Sequence, residues 1–362
     1  TLLSKPSRDA RERVAAHTGD TTLPSVAVIV PCWNEANTVA ATCHSLLALD
    51  YPKDKLEIIL VNDGSTDTTP EVMGRFTGHA QVHIIHKENG GKHTALNAGI
   101  AATSAELVGC LDADSFVESN ALRELVACFT HPHIVAVTAA MSVYRPKNLL
   151  QHMQNAEYSF AITFRHAFAS VNGLYVTPGP FSFYRRNIVE KLGRFRYGCQ
   201  TEDMEMALRI QRAGYWIENA PRARVYTKAP ATIAGLIQQR TRWVSGFLRN
   251  ILGEYRSLIG SRRNSALGIL VLPTALLAII SGISLFVLAL YLSTHNLLSA
   301  IEVRAGIPLS YALVPHGSLD WFYFPASFYL FLAMIVFLAS LSLVAIGKYV
   351  SRTPGNIVYA LA

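Results

Sequence analysis

Asp112 and Asp114 stand on either side of the small Ala113, directly after an apolar run from Leu107 to Leu111. Residues i and i+2 of an extended chain point to the same side, so the pair concentrates negative charge that nothing in the run neutralises. A hard divalent cation, Mg2+ or Mn2+, held by one or two carboxylates and by the phosphate oxygens of a substrate, suits such a place. The ordinary alternative is a turn or a helix cap. Other acids favour chemistry. Glu35 and Asp63 each follow their own apolar, β-branched run. Lys92 follows Gly90 and Gly91, which could offer backbone donors and one ammonium to a phosphate or a base; the spacing is not that of a Walker loop, and a glycine turn with a solvated lysine is the competing reading. Thr201-Glu202-Asp203 opens an amphipathic helix with Met206, Ile210 and Ala213 in its apolar stripe, where acids also simply suit a helix start. Gln239, Arg242 and Trp243 stand at i, i+3 and i+4 on one helical face. An Arg beside an indole can grip a diphosphate and cover a ring, or can anchor a helix by snorkelling.

The elements that must position these residues alternate. Ser25 to Val30, Leu56 to Val61, Val82 to Ile85 and Leu107 to Leu111 read as buried strands, because near-continuous apolar runs suit strands covered on both faces. Helical patterns lie between them, one running through Leu47 with Asn34 or Asn37 as its expected cap. This order predicts an α/β fold, an open and mostly parallel sheet with helices on both faces. Ligands of such sheets bind outside the carboxyl ends of the strands. Glu35, Asp63, Asp112 and Asp114 all fall there, four acids from three strands converging on one edge. Further on, Asn148 to Val171 is helical and aromatic, with Tyr158, Phe160, Phe164 and Phe168 mostly for the core and one or two available to line a groove. Thr177 to Phe181 makes a tight loop around Gly179 and Pro180, FSFYRR resumes extended structure, and Thr232 to Ile259 reads as one long amphipathic helix resting in a membrane interface.

Composition adds the membrane. Of 362 residues, 51% are hydrophobic and 16% charged, and the excess lies in two uncharged runs, Ala266 to Leu292 and Trp321 to Gly347. Each exceeds the about 20 residues that a bilayer span requires, and Pro273, Gly282 and Pro325 are tolerated in such helices. Arg262 and Arg263 before the first run, with Lys348 and Arg352 after the second, place both ends in the cytosol by the positive-inside rule, with Ser293 to Asp320 as a short excursion to the far side. The expected organisation is a linker or surface helix over 1–24, a cytosolic domain over 25–231, an amphipathic interface helix over 232–264 and a transmembrane region over 265–362. The chain opens on Thr rather than Met, and a native start with a spanning helix of its own is expected upstream. Five cysteines without CxxC spacing read as reduced, buried thiols rather than a disulfide or zinc framework. The twelve histidines are scattered, with His131 and His133 in a turn. A formal charge of +7 suits anionic lipid or phosphorylated substrates, and no nucleic-acid motif accompanies it.

Asp63, the Asp112-Ala113-Asp114 triplet, Thr201-Glu202-Asp203 and Gln239-Arg240-Thr241-Arg242-Trp243, in that order and followed by spans, resemble the D, DxD, TED and QxxRW signature of membrane-embedded family 2 glycosyltransferases, the group of poly-N-acetylglucosamine, chitin, hyaluronan and cellulose synthases. The resemblance covers Ser25 to Ile259. It implies a GT-A fold and an inverting, metal-dependent transfer from a UDP-sugar, UDP-N-acetylglucosamine favoured, to the end of a β-linked polysaccharide. It further implies that Glu35, Asp63 and Lys92 hold the uridine side, that Asp112 touches the nucleotide, and that Asp114 binds Mg2+ or Mn2+ on the diphosphate. Asp203, accompanied by Glu202, becomes the general base, Gln239 and Arg242 steady the diphosphate, and Trp243, Gly179 and Pro180 face the acceptor. The alternative is a lipid glycosyltransferase, similar to the ceramide glucosyltransferases, adding one sugar to a membrane lipid. A scaffold that binds nucleotide without catalysis is disfavoured, since an idle site has no need for Asp203 and Arg242 together. Two spans do not enclose a polymer channel, which leaves further spans elsewhere, a homo-oligomer, or no translocation.

Overall fold

A computed structural model of the chain describes residues 23–263, 266–303 and 328–351. The expected linker up to residue 22, most of the excursion between the two spans, Pro325 and Arg352 lie outside the described residues.

The apolar runs become strands as their composition requires. β1 (Val26–Cys32), β2 (Leu56–Asp63), β3 (Val82–Lys87) and β4 (Leu107–Cys110) pair in parallel, with α1 (Val39–Leu47), α2 (Thr69–Gly74) and α3 (Lys92–Ala101) between them. Both faces of β1 are covered, Val26, Val28 and Val30 by one core and Ala27 and Ile29 by the other. That explains a run with no polar alternation. β5 (Ser115–Val117), α4 (Ala121–Val126), β6 (Ile134–Val143), the long α5 (Leu149–Ser170), β7 (Ser182–Arg185), α6 (Arg186–Lys191), α7 (Glu202–Arg212) and β8 (Trp216–Thr227) follow. The eight strands form one sheet in the order β3-β2-β1-β4-β7-β6-β8-β5.

The parallel arrangement breaks at β7, which runs against both β4 and β6. This reversal serves the site. Because Cys110 faces Ser182, the loop entering β7 lies where β4 ends, and Phe181 N–H donates to Cys110 O at 2.8 Å. Pro221 is accommodated in β8 by a break in register between Ala139 and Ala140 of β6, a bulge being where an inner strand can tolerate proline.

Several helix boundaries differ from the sequence reading. α1 begins after Thr38, with no side-chain cap. Asn34 instead adopts a left-handed φ of 56°, and its side-chain oxygen accepts from Thr66 N–H at 2.8 Å, tying the β1 turn to the β2 turn. Thr201 does not cap α7 either; its hydroxyl donates to Gly198 O at 2.7 Å. The expected single helix from Thr232 to Ile259 is α8 (Ile233–Leu252), capped by Thr232 and ended at Gly253. Tyr255, at helical spacing in the sequence, is fully buried beyond that break and donates to Glu205 Oε1 at 2.5 Å. Glu205 pairs in turn with Arg209 at 2.6 Å, and this buried contact fixes α7 to the chain that leads into the apolar C-terminal helices.

Two apolar helices close the chain, α9 (Leu272–Val303), preceded by a π-helical turn over Leu267–Val271, and α10 (Phe328–Ser351). The widened turn comes just before Pro273, whose ring disfavours a regular turn ahead of it. By length and composition, Leu267–Ser299 and Met334–Ser351 can cross a membrane, with mean hydropathies of 2.5 and 1.8. One end of each is docked on the sheet domain. Leu267, Val271 and Leu272 pack with Met204, Leu208, Phe247 and Ile251. Thr163 of α5 donates to Leu343 O at 2.7 Å, and Gly347 packs so close to α5 that a Cβ there would overlap Ser159 O.

Candidate active site

The parallel register brings the acids together. Ile29 of β1 faces Ile59 of β2 and Cys110 of β4, so Glu35, Asp63 and Asp112 all lie beyond that level at one edge of the sheet. Glu35 is braced by Thr38, whose hydroxyl donates to Oε2 at 2.6 Å. Asp63 is 3% exposed and already well occupied. Lys87 reaches Oδ1 at 2.5 Å, Gly90 N–H donates to Oδ1 at 3.1 Å and Gly91 N–H to Oδ2 at 2.9 Å. The glycine donors that the sequence offered to a phosphate or a base are therefore turned onto Asp63, which shapes the loop leading into α3.

At the start of α3, Lys92 lies 2.5 Å from Asp112 Oδ1 and 3.2 Å from Glu202 Oε1. It thus joins the end of β4 to the start of α7, though the sequence put these about ninety residues apart. Gly179 backs this junction. A Cβ there would come 2.5 Å from Lys92 Nζ and 3.1 Å from both Asp112 oxygens, so glycine lets the β7 loop lie against the ion pair without displacing it. Pro180 follows it into β7. Asp203 is held by Met204 N–H at 2.8 Å, and its carbonyl accepts from Thr177 of the same loop at 2.8 Å.

Crowding sets the protonation states. Burial, then Asp112 and Glu35, push the Asp114 carboxyl up to about 6. Burial, then Glu202, push Asp203 to about 6, with Lys92 working the other way. Lys92 is held well above its ordinary value, since Asp112 and Glu202 outweigh the burial that disfavours its charge. The acids on the Asp114 side repel one another in a way that a bound cation relieves. The donors are carboxylates alone, which fits Mg2+ or Mn2+ and not a thiolate-seeking metal. Among the described residues no three His, Cys, Asp or Glu side chains converge on one ion, so the cation would complete its shell with phosphate oxygens.

Gln239 and Arg242 occupy a different surface. They line a cleft of about 610 Å³ beside α8, with Tyr197, Gln200, Gln238 and Arg249, and none of the carboxylates lines it. Gln239 Oε1 is buried there without a hydrogen-bond partner. Trp243 is half-buried and covered by a cation that the motif reading missed, Arg240, 4.4 Å above its ring and paired with Glu157 of α5 at 2.6 Å. The connection between cleft and acids runs through Thr201. Asn250 Nδ2 donates to Thr201 Oγ1 at 3.1 Å, and a Cβ on Gly246 would come 2.5 Å from the Thr201 side chain.

Comparison with known proteins agrees with this architecture. The family model described as Glycosyltransferase like family 2 matches residues 24–246. The chain is 32% identical over 243 residues to the poly-beta-1,6-N-acetyl-D-glucosamine synthase of Staphylococcus epidermidis, covering 66% of this chain and 58% of that protein. Against the synthase of the same description from Staphylococcus aureus (strain MSSA476), identity is 30% over 244 residues, covering 67% and 59%. The match thus spans less than three-fifths of the length of either relative. Among solved structures, the mannosyltransferase PcManGT of Pyrobaculum calidifontis, in complex with GDP-Man and Mn2+, superposes with a TM-score of 0.58 at 22% identity, covering 97% of this chain and 91% of that one. The likeness there is one of fold.

Proposed function

The chain belongs to the glycosyltransferases of the family 2-like group, and from that premise we propose that it is a membrane-bound, inverting transferase that moves N-acetylglucosamine from its UDP-activated form to the end of a β-linked polysaccharide. The junction of Lys92 with Asp112 and Glu202 carries this reading. It unites a nucleotide-diphosphate side, at the strand ends, with a proton-accepting side, at the head of α7. The description of the staphylococcal relatives favours the donor sugar and the polymeric product. The docking of both apolar helices on the domain, with basic flanks at those ends, supports a catalytic domain on the cytosolic side.

In this reading Glu35 and Asp63 face the uridine, Asp63 through the loop it organises, and Asp112 with Lys92 meets the diphosphate. Asp112, Asp114 and the phosphate oxygens would hold Mg2+ or Mn2+. When bound, the cation supplies charge stabilisation for the departing UDP. Asp203 accepts the proton of the acceptor hydroxyl as that oxygen bonds to the anomeric carbon and the carbon–oxygen bond to UDP breaks on the opposite face. A carboxyl titrating at about 6 is ionised near neutrality and still basic enough for the task. Glu202, beside it in sequence, is committed to the ion pair with Lys92. Gln239 and Arg242 close on the diphosphate from the cleft, while Trp243, Gly179 and Pro180 wall the acceptor. The exposed apolar residues of α8, Ile233, Ile237, Val244 and Leu252, suit the membrane interface.

Mass analysis of products from a panel of UDP-sugars, with the purified protein in nanodiscs and Mg2+ or Mn2+, tests the reading. A high-mass polymer of N-acetylglucosamine is expected. A single glycolipid would favour the lipid transferase, and turnover of every donor except UDP-N-acetylglucosamine would remove the donor assignment.

A further inference from the structure

Arg240, between Gln239 and Arg242, has no role in the reading above, yet its place is closely defined. Its guanidinium lies 4.4 Å above the Trp243 ring and pairs with Glu157 of α5 at 2.6 Å. Residues i and i+3 of a helix share a face, so Arg240 and Trp243 both turn toward α5. Neither lines the cleft that holds Gln239 and Arg242. The short stretch from Gln239 to Trp243 is therefore divided between two faces of α8. Gln239 and Arg242 look into the cleft, while Trp243 packs against the core that includes Ala113, the residue between Asp112 and Asp114.

The α5 side of this contact is built up rung by rung. Asn148, Gln151 and Gln154, three residues apart, donate to Ala231 O at 3.0 Å, Ala229 O at 2.9 Å and Pro230 O at 2.9 Å. Glu157 is the next member of that series. The three amides hold the chain that enters α8, Thr232 then caps the helix, and Arg240 arrives opposite Glu157 in the register so set. An ion pair whose acid is 52% exposed adds little to stability. What it adds here is location, because it holds a planar guanidinium over the indole, a fit that an ammonium does not reproduce.

We propose that Arg240, anchored by Glu157, is a positioning residue that holds the Trp243 ring in the orientation that receives the terminal sugar of the acceptor. The proposal rests on the transferase reading above, in which Trp243 walls the acceptor, and adds the pair that sets its ring. An indole turns about two side-chain bonds, and a sugar packed against it is oriented only as well as the ring itself.

The test uses the full chain in nanodiscs, with a β-linked N-acetylglucosamine oligosaccharide as acceptor and UDP binding measured separately without turnover. Arg240→Ala is expected to raise the half-saturating oligosaccharide concentration by about fivefold to tenfold, and Glu157→Ala by about threefold, while UDP affinity and donor KM stay within about twofold. Arg240→Lys keeps the charge and the pairing but loses the planar stack, so an intermediate value is expected. The exchanged pair, Arg240→Glu with Glu157→Arg, separates positioning from a mere tie between helices. It restores the ion pair and removes the cation from the ring, so its oligosaccharide dependence should stay as weak as that of Arg240→Ala. Recovery of the wild-type dependence in the exchanged pair overturns the proposal, as does an unchanged dependence in folded Arg240→Ala or a fall in UDP affinity that matches the loss of rate. If Arg240→Ala does not fold, seen as loss of UDP binding and of the thermal transition, Arg240→Lys and Glu157→Ala carry the same expectation. Wild-type protein that turns over no UDP-sugar contradicts the transferase reading instead. The proposal is then decided by the fluorescence of Trp243 in a chain carrying Trp33→Phe, Trp216→Phe and Trp321→Phe, where adding Arg240→Ala should quicken the anisotropy decay of the ring; an unchanged decay overturns it.

Discussion

The strand-end cluster and the α8 cleft are built on opposite principles. The cluster takes its residues from separate strands and helix starts whose positions are fixed by sheet register, and it is heavily cross-linked. Asp63 accepts from Lys87, Gly90 and Gly91, Lys92 spans Asp112 and Glu202, and Glu35 is tied to Thr38. The cleft takes most of its lining from one helix, leaves Arg242 exposed, and leaves a buried oxygen of Gln239 without a partner. A rigid, pre-charged cluster suits the bond-making step, where geometry must hold to a fraction of an ångström. A cleft with unspent hydrogen-bonding capacity suits a group that arrives and leaves. Substitutions in the cluster should therefore lower kcat, and those in the cleft should raise KM.

The largest effect is expected at Asp114. Asp114→Ala, or a chelator added to the wild type, should cut turnover by about a thousandfold or more and abolish the metal dependence of UDP binding measured by calorimetry. Full rates in chelator would remove the cation from the account. Gly179→Ala should come next. Its methyl group must displace Lys92 or Asp112, and a shift of that size costs about tenfold to a hundredfold in kcat, read by steady-state assay with thermal unfolding as the control. An unchanged kcat would mean that the loop and the ion pair are not part of the reacting geometry. The smallest is Arg242→Ala, for which donor KM should rise about tenfold with kcat nearly kept. A kcat collapse there would erase the difference between the two regions.

The same contrast governs what could be read from the sequence. β1, β2 and β4 were legible because a strand buried on both faces must be an unbroken apolar run, and the acids were legible because they end such runs. What the strands pair with was not. Lys87 sits opposite Asp63 only through the β2–β3 register, and Gly179 reaches Lys92 only because β7 reverses direction beside β4. Neither fact has a local signature. On α8 the i, i+3, i+4 spacing correctly put Gln239, Arg242 and Trp243 on one side of a helix, but spacing is silent about which neighbour a ring meets. Arg240, one turn before Trp243, took that place because Glu157 on α5 holds it there. The amphipathic pattern ran past Gly253 since Tyr255 is apolar at the right interval, and its burial against Glu205 shows that the core can claim such a residue without a helix.

The role of Asp203 is the central claim, and Asp203→Asn tests it most directly. The wild-type kcat/KM should fall tenfold per pH unit below about 6, where Asp203 is protonated and cannot accept a proton, and should level off above it. The amide cannot accept a proton at any pH. The variant should therefore bind UDP as the wild type does while transferring sugar about a hundredfold to ten-thousandfold more slowly, with the Asp203 limb gone from its profile. A variant that keeps both UDP binding and the wild-type rate and pH profile would contradict the account, leaving Asp203 as no more than an acid at the start of a helix.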